Sequence, residues 1–299
     1  MLRLAFSTVA CPQWALEDVV RRAAEWGYEG VELRSLGEGL AEFASEPALS
    51  DPEKVRRIFD AEGVEIAGVA TGVRFDAPVR PPVIGHLWRS STASIREGAR
   101  FVSLAGGIGA PYVRVFAFQL PRFERRKPGL RRIAARLARV CESARNRGVT
   151  VLIENGGSFA GAADLLQIID AVRSPLLAAC YDIQAAHHAG EDVVAGAASL
   201  GPLLRMARLR DQRGGRPCPI GDGELPCRAF VEALRRTAAS FGTRPWIAVT
   251  WDRAWVAGLD EADSVLPAAL ERIRGWSARE SGSGRAGVRG ARPLASAAR

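Results

Sequence analysis

Residues 150–158 read TVLIENGGS, a run of branched apolar residues that ends in a carboxylate, Glu154, followed by Asn155 and two glycines. Three consecutive apolar residues without polar alternation are typical of a strand covered on both faces, as in a parallel sheet. A carboxylate at the exit of such a strand is destabilising unless it is paired, protonated or bound to a cation. The stretch therefore predicts a parallel α/β fold with a chemically engaged acid at one strand end.

Eight strands of this kind alternate with amphipathic helical segments along the chain. The segment 16–27 ends at Gly27, a helix C-cap, and the segment 51–63 begins at Asp51, an N-cap, and ends at Gly63. Strict alternation implies parallel pairing, and eight units predict one (β/α)8 TIM barrel rather than an open doubly wound sheet, since no GxGxxG follows the first strand. The predicted strands are 3–7, 30–34, 64–70, 112–118, 150–154, 176–182, 203–210 and 246–250.

Composition narrows the classes of function. No apolar run is long enough to span a membrane, the N-terminus lacks a convincing signal peptide, and five cysteines form no CxxC pair, so we expect a cytoplasmic protein without a disulfide framework or zinc knuckle. Half of the net charge of +8 comes from residues 277–299, with five arginines and one glutamate. We expect 1–276 to form the barrel and 277–299 a disordered basic tail that binds no nucleic acid, because it has no aromatic residue for stacking.

Two connections deserve separate interpretation. The segment 71–96 is the longest irregular stretch and contains three prolines near its middle, so it is a candidate lid over the barrel mouth. The glycines of GGIGAP, 106–111, resemble a phosphate-binding loop, but they stand between a helix and a strand and are interpreted as a helix end.

Catalytic groups of a (β/α)8 barrel come from the carboxyl ends of its strands. Glu154 and Asp182 end adjacent predicted strands, and two carboxylates that close would raise one pKa unless a cation lay between them. Structural acids bridged to nearby arginines are the alternative interpretation. The same rule selects Glu32, Arg34, Arg114, His187, His188, Arg208, Arg210, Asp211, Thr250, Trp251, Asp252 and Arg253.

Several short motifs, loose alone but specific in their order and spacing, carry a family resemblance. They include GYEGVELR (27–34), VTVLIEN (149–155), YDIQAAHHAGED (181–192), RLRD (208–211) and IAVTWDRAW (247–255). Over residues 3–275 the chain resembles the sugar phosphate isomerase/epimerase group of xylose isomerase-like TIM barrels. The resemblance implies an enzyme that moves a proton between carbons of a sugar-like keto compound.

The resemblance also implies one divalent metal ion, Mn²⁺, Mg²⁺, Co²⁺ or Zn²⁺, held by four side chains. Glu154 and Asp182 match the first two ligand positions, whereas Arg208 and Thr250 stand where the family has His and Glu. An arginine cannot ligate a metal, and two carboxylates are too few for a hard cation. We hypothesise that Arg208 takes the electrostatic place of the metal, pairs with Glu154 or Asp182, and presents donors to a substrate oxyanion.

The expected catalytic residues are therefore Glu154, Asp182 and Arg208, with Glu154 as the surviving acid/base. The second proton-transfer group stays open among Asp182, His187, Glu32 and Asp252. Four arginines lie close together in sequence at and after the end of the seventh predicted strand: Arg208, Arg210, Arg213 and Arg216. They favour an anionic or strongly polar substrate. Trp251 and Trp255 could pack against a ring of the substrate. The predicted substrate-binding residues are Glu32, Arg114, His187, Arg210, Trp251 and Arg253.

Three functions follow from these expectations. The first is an isomerase or epimerase, with a diverged or absent metal site; the second is a lyase, dehydratase or cyclase of secondary metabolism; the third is a non-catalytic binding barrel. The family's apurinic-site endonucleases need a histidine-rich trinuclear zinc cluster that three histidines cannot build. We expect a small-molecule substrate, no nucleic acid and no membrane as partners, and leave a homo-oligomer open.

Overall fold

The computed structural model describes residues 2–35, 51–78 and 92–278. Eight parallel strands form a closed barrel in the order β1-β10-β7-β6-β5-β4-β3-β2, and β8 and β9 form a separate antiparallel hairpin. This confirms the predicted (β/α)8 barrel. The strands are β1 Arg3–Ser7, β2 Gly30–Arg34, β3 Glu65–Arg74, β4 Tyr112–Phe116, β5 Thr150–Glu154, β6 Leu177–Asp182, β7 Leu204–Leu209, β8 Asp211–Arg213, β9 Arg216–Cys218 and β10 Trp246–Val249.

Helices surround the barrel, and their ends follow local sequence signals. Gly27 ends the first helix in the left-handed conformation (φ +88°), and the Asp51 side chain accepts hydrogen bonds from the backbone N–H groups of Glu53 and Lys54, as predicted. The helices are α1 Leu16–Trp26, α2 Pro52–Glu62, α3 Ala93–Ile108, α4 Arg126–Ser143, α5 Ala162–Val172, α6 Ile183–His188, α7 Val193–Leu200, α8 Cys227–Phe241 and α9 Ala262–Ala278.

The core has two parts, because every second residue of a strand faces the barrel interior. Outward-facing apolar residues pack against the helices as one continuous cluster. The interior holds mostly small side chains and one large one, Trp246, which fills the amino-terminal half. Gly30 permits this packing, because a Cβ there would lie 2.7 Å from the Trp246 ring. Beyond Trp246, toward the carboxyl ends of the strands, the residues that face the interior are charged. The polar chemistry therefore lies at the carboxyl ends of the strands.

Several predicted boundaries change. The strand predicted at 64–70 extends to Arg74, and the 71–96 connection loses its last residues to α3; residues 79–91 of the candidate lid lie outside the described residues. GGIGAP is a helix end, as expected, with Gly109 at φ +81°. The last helix, α9, continues to Ala278, two residues into the segment assigned to the tail, and 279–299 lie outside the described residues. In the described part of the chain, no helix is long and apolar enough to cross a membrane.

Candidate active site

A pocket of about 490 Å³ opens at the carboxyl ends of the barrel strands. The period of two along each strand sends Arg34 of β2, Arg114 of β4 and Glu154 of β5 to its floor and walls. Asp182, Arg208, Arg210 and Asp252 line the opposite part. The pocket is therefore built mainly from charged groups that arrive from different strands, in the place where barrels of this architecture hold their active sites.

Arg208 is the centre of the charge network. Its Nη1 donates to both carboxylate oxygens of Glu32 at 2.7 Å, and its Nη2 donates to the Thr250 hydroxyl at 3.1 Å. Burial opposes the charge of Arg208, but the carboxylates of Glu32 and Glu154 outweigh burial and raise the pKa of the guanidinium. Burial likewise works against the Glu32 carboxylate, and the charges of Arg208 and Arg114 nevertheless hold its pKa below the ordinary value. Both partners are therefore ionised at neutral pH.

Glu154 lies between two guanidinium groups. Its Oε2 is 2.9 Å from Nε of Arg114 and 3.7 Å from Nε of Arg208, and it accepts a hydrogen bond from the Cys180 thiol at 3.6 Å. Nε of Arg208 is buried and, within the described residues, has no hydrogen-bond acceptor, although Asp182 Oδ2 lies 3.9 Å away. Buried donors in proteins normally have an acceptor. An oxygen of a ligand could accept the hydrogen bond that this N–H lacks, beside the Glu154 carboxylate.

Asp182 is tied to the protein through each of its polar atoms. Its Oδ1 accepts from the backbone N–H groups of Gln184 and Ala185 at the start of α6, and its Oδ2 is 3.1 Å from Arg210 Nη2. Its own backbone N–H donates to Asn155 Oδ1 at 2.6 Å. Arg210 in turn pairs with Asp252 at 2.9 Å. Asp182 is therefore chiefly a fixed element of the pocket wall.

A family model described as xylose isomerase-like TIM barrel matches residues 20–270. The chain belongs to this family. No curated protein sequence matches this xylose isomerase-like barrel. Among solved structures, an L-ribulose 3-epimerase superposes with a TM-score of 0.75 at 16% identity, covering 96% of this chain and 100% of that chain.

Two further solved structures show the same likeness. A probable 3-DHS dehydratase, AsbF, involved in petrobactin synthesis in Bacillus anthracis, has a TM-score of 0.71 at 15% identity, covering 91% of this chain and 99% of that chain. The 3-keto-D-glucoside 4-epimerase YcjR of E. coli has a TM-score of 0.68 at 14% identity, covering 92% and 100%. At these identities the comparisons show the fold alone, which this chain shares with two sugar epimerases and a probable dehydratase.

The divalent metal that the family resemblance implies does not fit the donors present here. At the four positions that the resemblance assigns to metal ligands, this chain has Glu154, Asp182, Arg208 and Thr250, and the Arg208 guanidinium lies within 4 Å of both acids. A fixed positive charge at the position of a ligand repels a cation and donates no electron pair. Across residues 2–35, 51–78 and 92–278, no group of three or more His, Cys, Asp or Glu is arranged to hold a metal ion.

The structure also corrects the position of several predicted substrate-binding residues. Glu32 is fully buried and does not line the pocket; it lies beneath the pocket floor, where it pairs with Arg208. His187 and His188 are both exposed, but only His188 of the two lines the pocket, with Nε2 2.6 Å from Gln212 Nε2. The two histidines are consecutive residues of α6 and therefore project about 100° apart around the helix axis, and sequence could not decide which one lines the pocket.

The loops after β7 and β10 also hold residues that the structure places differently from the sequence prediction. Trp251 is buried and donates its Nε1–H to the Asp260 carbonyl at 2.9 Å, while Trp255 is 53% exposed and lines the pocket. Arg253 pairs with Glu261 instead of facing the pocket. Arg213 and Arg216 belong to the exposed β8–β9 hairpin and do not line the pocket. Arg114 and Arg210 line it, and their role in substrate binding stays a prediction.

Some pocket residues were missed by sequence reasoning. Asn155 bridges β5 and β6 through its amide, with Nδ2 donating to the Asp182 carbonyl at 3.0 Å. Phe118 reaches the pocket from a left-handed backbone conformation (φ +65°), and Gln184 follows the Asp182 cap. Only Asn155 had a usable signal, because it directly follows the strand-end Glu154.

Proposed function

We propose that the protein is an isomerase or epimerase that transfers a proton next to the carbonyl of a small hydroxylated compound. Glu154 takes the proton from the carbon, and the electron pair of the broken C–H bond moves to the carbonyl oxygen as an enediolate forms. The buried Arg208 stabilises that developing negative charge. Delivery of a proton to the neighbouring carbon, with transfer of the hydroxyl proton on that carbon to the former carbonyl oxygen, completes an isomerisation. Delivery of a proton to the opposite face of the original carbon, as the carbonyl re-forms, completes an epimerisation.

The observation that carries this proposal is the Nε–H of Arg208, which has no hydrogen-bond acceptor among the described residues and lies 3.7 Å from the Glu154 carboxylate at the pocket floor. A base and an oxyanion donor side by side are the two groups that enolisation needs. Fixed donors of this kind contribute roughly 3–4 kcal/mol of transition-state stabilisation in other enzymes. The sugar epimerases that share the fold support the same class of chemistry.

The second proton-transfer group is chosen among the four candidates from the sequence; His188, which also lines the pocket, is engaged with Gln212 through its Nε2. Glu32 and His187 do not line the pocket, and both oxygens of Asp182 are committed. Asp252 remains: it lines the pocket beyond β10, and Arg210 holds one of its oxygens at 2.9 Å. We assign Asp252 as the group that returns the proton.

Dehydration is the second candidate, because one base is sufficient for it. The position after β10 where the family has a glutamate is Thr250, and its hydroxyl accepts from Arg208 and cannot act as a base. Removal of a proton by Glu154 followed by loss of a β-hydroxyl as water would leave an unsaturated ketone. The fold shared with a probable dehydratase supports this alternative.

The test is solvent exchange in D₂O with a panel of ketoses, aldoses, sugar acids and sugar phosphates, followed by NMR. Deuterium at the carbon next to the carbonyl, with a rearranged or inverted product, supports isomerisation or epimerisation; an enone absorbance supports dehydration. We expect Glu154→Gln to lower the rate by about 10²–10⁴-fold. The matched control is Glu142→Gln, an exposed acid on α4 that pairs with Arg145.

Three outcomes would contradict the proposal. A wild-type protein that binds panel members but neither exchanges nor converts them would be a non-catalytic binding barrel. A Glu154→Gln variant with wild-type exchange would remove Glu154 from the mechanism. Equal losses in Glu154→Gln and Glu142→Gln would indicate damage to the fold and not to the chemistry.

A further inference from the structure

Arg34 is a largely buried cation that, in the part of the chain that the structure describes, has no carboxylate of its own. Its Nη1 donates to the Thr71 carbonyl at 2.7 Å, and no ion pair joins it to an acid within the described residues. The two acids whose charges act on it are engaged elsewhere, Glu154 with Arg114 at 2.9 Å and Glu32 with Arg208 at 2.7 Å. The other three pocket arginines all have carboxylate partners.

A second guanidinium shares the same carbonyl. Arg114 Nη1 also donates to the Thr71 oxygen, at 2.8 Å. Because both nitrogens reach one oxygen, they are separated by no more than the sum of the two hydrogen-bond lengths. Two positive charges at that separation repel each other, and the repulsion is strong where side chains are shielded from water.

The electrostatics of the free protein reflect this imbalance. Burial, followed by the charges of Arg114 and Arg208, lowers the pKa of Arg34 to about 9. Burial also lowers the pKa of Arg114, although Glu154 opposes the change. A pKa of about 9 leaves Arg34 charged at neutral pH, and Arg114 keeps its proton as arginine does in proteins. The protein therefore holds two close cations, and of these two Arg114 is the one paired with a carboxylate, that of Glu154.

The surroundings of Arg34 are open to a ligand. Arg34, Arg114, Phe116 and Phe118 all line the pocket, and the half-exposed Trp255 stands beside Arg34, with its ring centroid 5.8 Å from the guanidinium carbon. Planar guanidinium groups suit the oxygens of carboxylate and phosphate. A hydroxylated ring or chain beyond the anion would extend from this side of the pocket toward Glu154.

We propose that Arg34 and Arg114 form an anion subsite, and that the ligand of the pocket is a hydroxylated small molecule carrying a carboxylate or a phosphate. The subsite uses pocket arginines on β2 and β4, and not the hairpin arginines after β7. It deepens the proposed function by naming the substrate class, and it is tested by binding alone.

The experiment compares matched neutral and anionic probes by thermal shift and calorimetry: D-galactose with D-galacturonate, and D-fructose with D-fructose 6-phosphate. Inorganic phosphate and sulfate are included. We expect anionic members to raise the melting temperature of the wild type at millimolar concentration and neutral members to have little effect. Comparison of the shifts produced by D-galacturonate and by D-fructose 6-phosphate shows whether the subsite prefers a carboxylate or a phosphate.

Arg34→Met should weaken binding of the preferred anion by about 10- to 100-fold, since it removes charge-assisted hydrogen bonds. Arg34→Lys, which keeps the charge but loses the planar fork, should bind with intermediate affinity. Arg216→Met, in the exposed hairpin, is the matched control and should bind like the wild type.

The proposal is overturned if no anionic probe, phosphate and sulfate included, raises the melting temperature above its neutral counterpart. It is also overturned if Arg34→Met binds the anion as tightly as the wild type, or if Arg216→Met loses binding instead. If Arg34→Met does not fold, Arg34→Lys serves as the test. Binding of the anion by Arg34→Lys with the affinity and the salt dependence of the wild type would contradict a bidentate contact between the Arg34 guanidinium and the anion. Failure of catalysis leaves these results unaffected, so the two proposals are separable.

Discussion

Arg208 and Glu32 form a buried ion pair across the barrel interior, with one guanidinium nitrogen 2.7 Å from both carboxylate oxygens. The two residues belong to β7 and β2, which are separated in the barrel by β10 and β1. The pair fixes the Arg208 guanidinium at the base of the pocket. Glu154 and Asp182 then lie 3.7 and 3.9 Å from the same guanidinium.

Glu32→Gln should destabilise the fold by about 3–5 kcal/mol at neutral pH, because it leaves the Arg208 charge buried without its main partner. The pKa of Glu32 is lowered in the folded state, so the stabilisation is fully present above the ordinary value of 4.5 and is lost as pH falls through the folded-state pKa. Urea unfolding of wild type and variant from pH 8 to the lowest pH at which both fold should show the difference shrinking only below about pH 4.5.

The exposed control Glu142→Gln should leave the free energy of unfolding nearly unchanged over the same pH range. A Glu32→Gln variant as stable as the wild type at pH 7, or a difference that does not shrink in acid, would contradict the ion-pair assignment.

The sequence was sufficient to predict the barrel because alternation of strand and helix is a local signal repeated eight times. It also predicted that charged residues such as Glu154, Arg208 and Arg114 meet at one end, since the carboxyl ends of parallel strands share an edge. It could not predict the partner of Arg208. The expectation was Glu154 or Asp182, whereas the closest acid is Glu32, because residues across a closed barrel can be closer than residues on neighbouring strands.

The orientations of side chains beyond the strand ends were harder to predict, for a different reason. The period of two that orients strand residues stops at Val249, where β10 ends. Trp251 then turns into the core and Trp255 into the pocket, which reverses the role expected for Trp251. Loop conformation after a strand depends on tertiary contacts such as the Trp251–Asp260 hydrogen bond, and no spacing in the sequence encodes that contact.

Trp251→Ala should destabilise the protein by about 3–5 kcal/mol, as expected for loss of a large buried side chain. Trp255→Ala should change the free energy of unfolding by no more than about 0.5 kcal/mol, because the side chain is half exposed. Urea denaturation measures both. Iodide quenching of fluorescence gives an independent readout: it should decrease in Trp255→Phe and persist in Trp251→Phe. The reverse order of stabilities would contradict the burial of Trp251 and the exposure of Trp255.

The combined change R208H/T250E should create a metal site, because it adds a neutral imidazole and a third carboxylate to Glu154 and Asp182 while removing the guanidinium. We expect the double variant to bind Mn²⁺ with a dissociation constant of about 10⁻⁵ M or below, measured by calorimetry, and its melting temperature to rise on binding. T250E alone should bind none, because Arg208 Nη2 lies 3.1 Å from the Thr250 hydroxyl and would pair with the new carboxylate. Absence of binding by a folded double variant would show that these positions do not correspond to the family's ligands.

Gly157 and Gly156 give a matched pair in the loop after Glu154. Gly157 has φ +58°, and a Cβ there would lie 2.8 Å from the Phe118 carbonyl oxygen; at Gly156 an added Cβ would meet nothing within 4 Å. Gly157→Ala should therefore destabilise the protein by about 1–2 kcal/mol or more, and Gly156→Ala should stay within about 0.5 kcal/mol of wild type, both measured by urea unfolding. Because Phe118 also lines the pocket, Gly157→Ala should in addition weaken binding of whichever anionic probe the wild type retains. Equal stability of the two variants would show that the Phe118 backbone does not pack on Gly157.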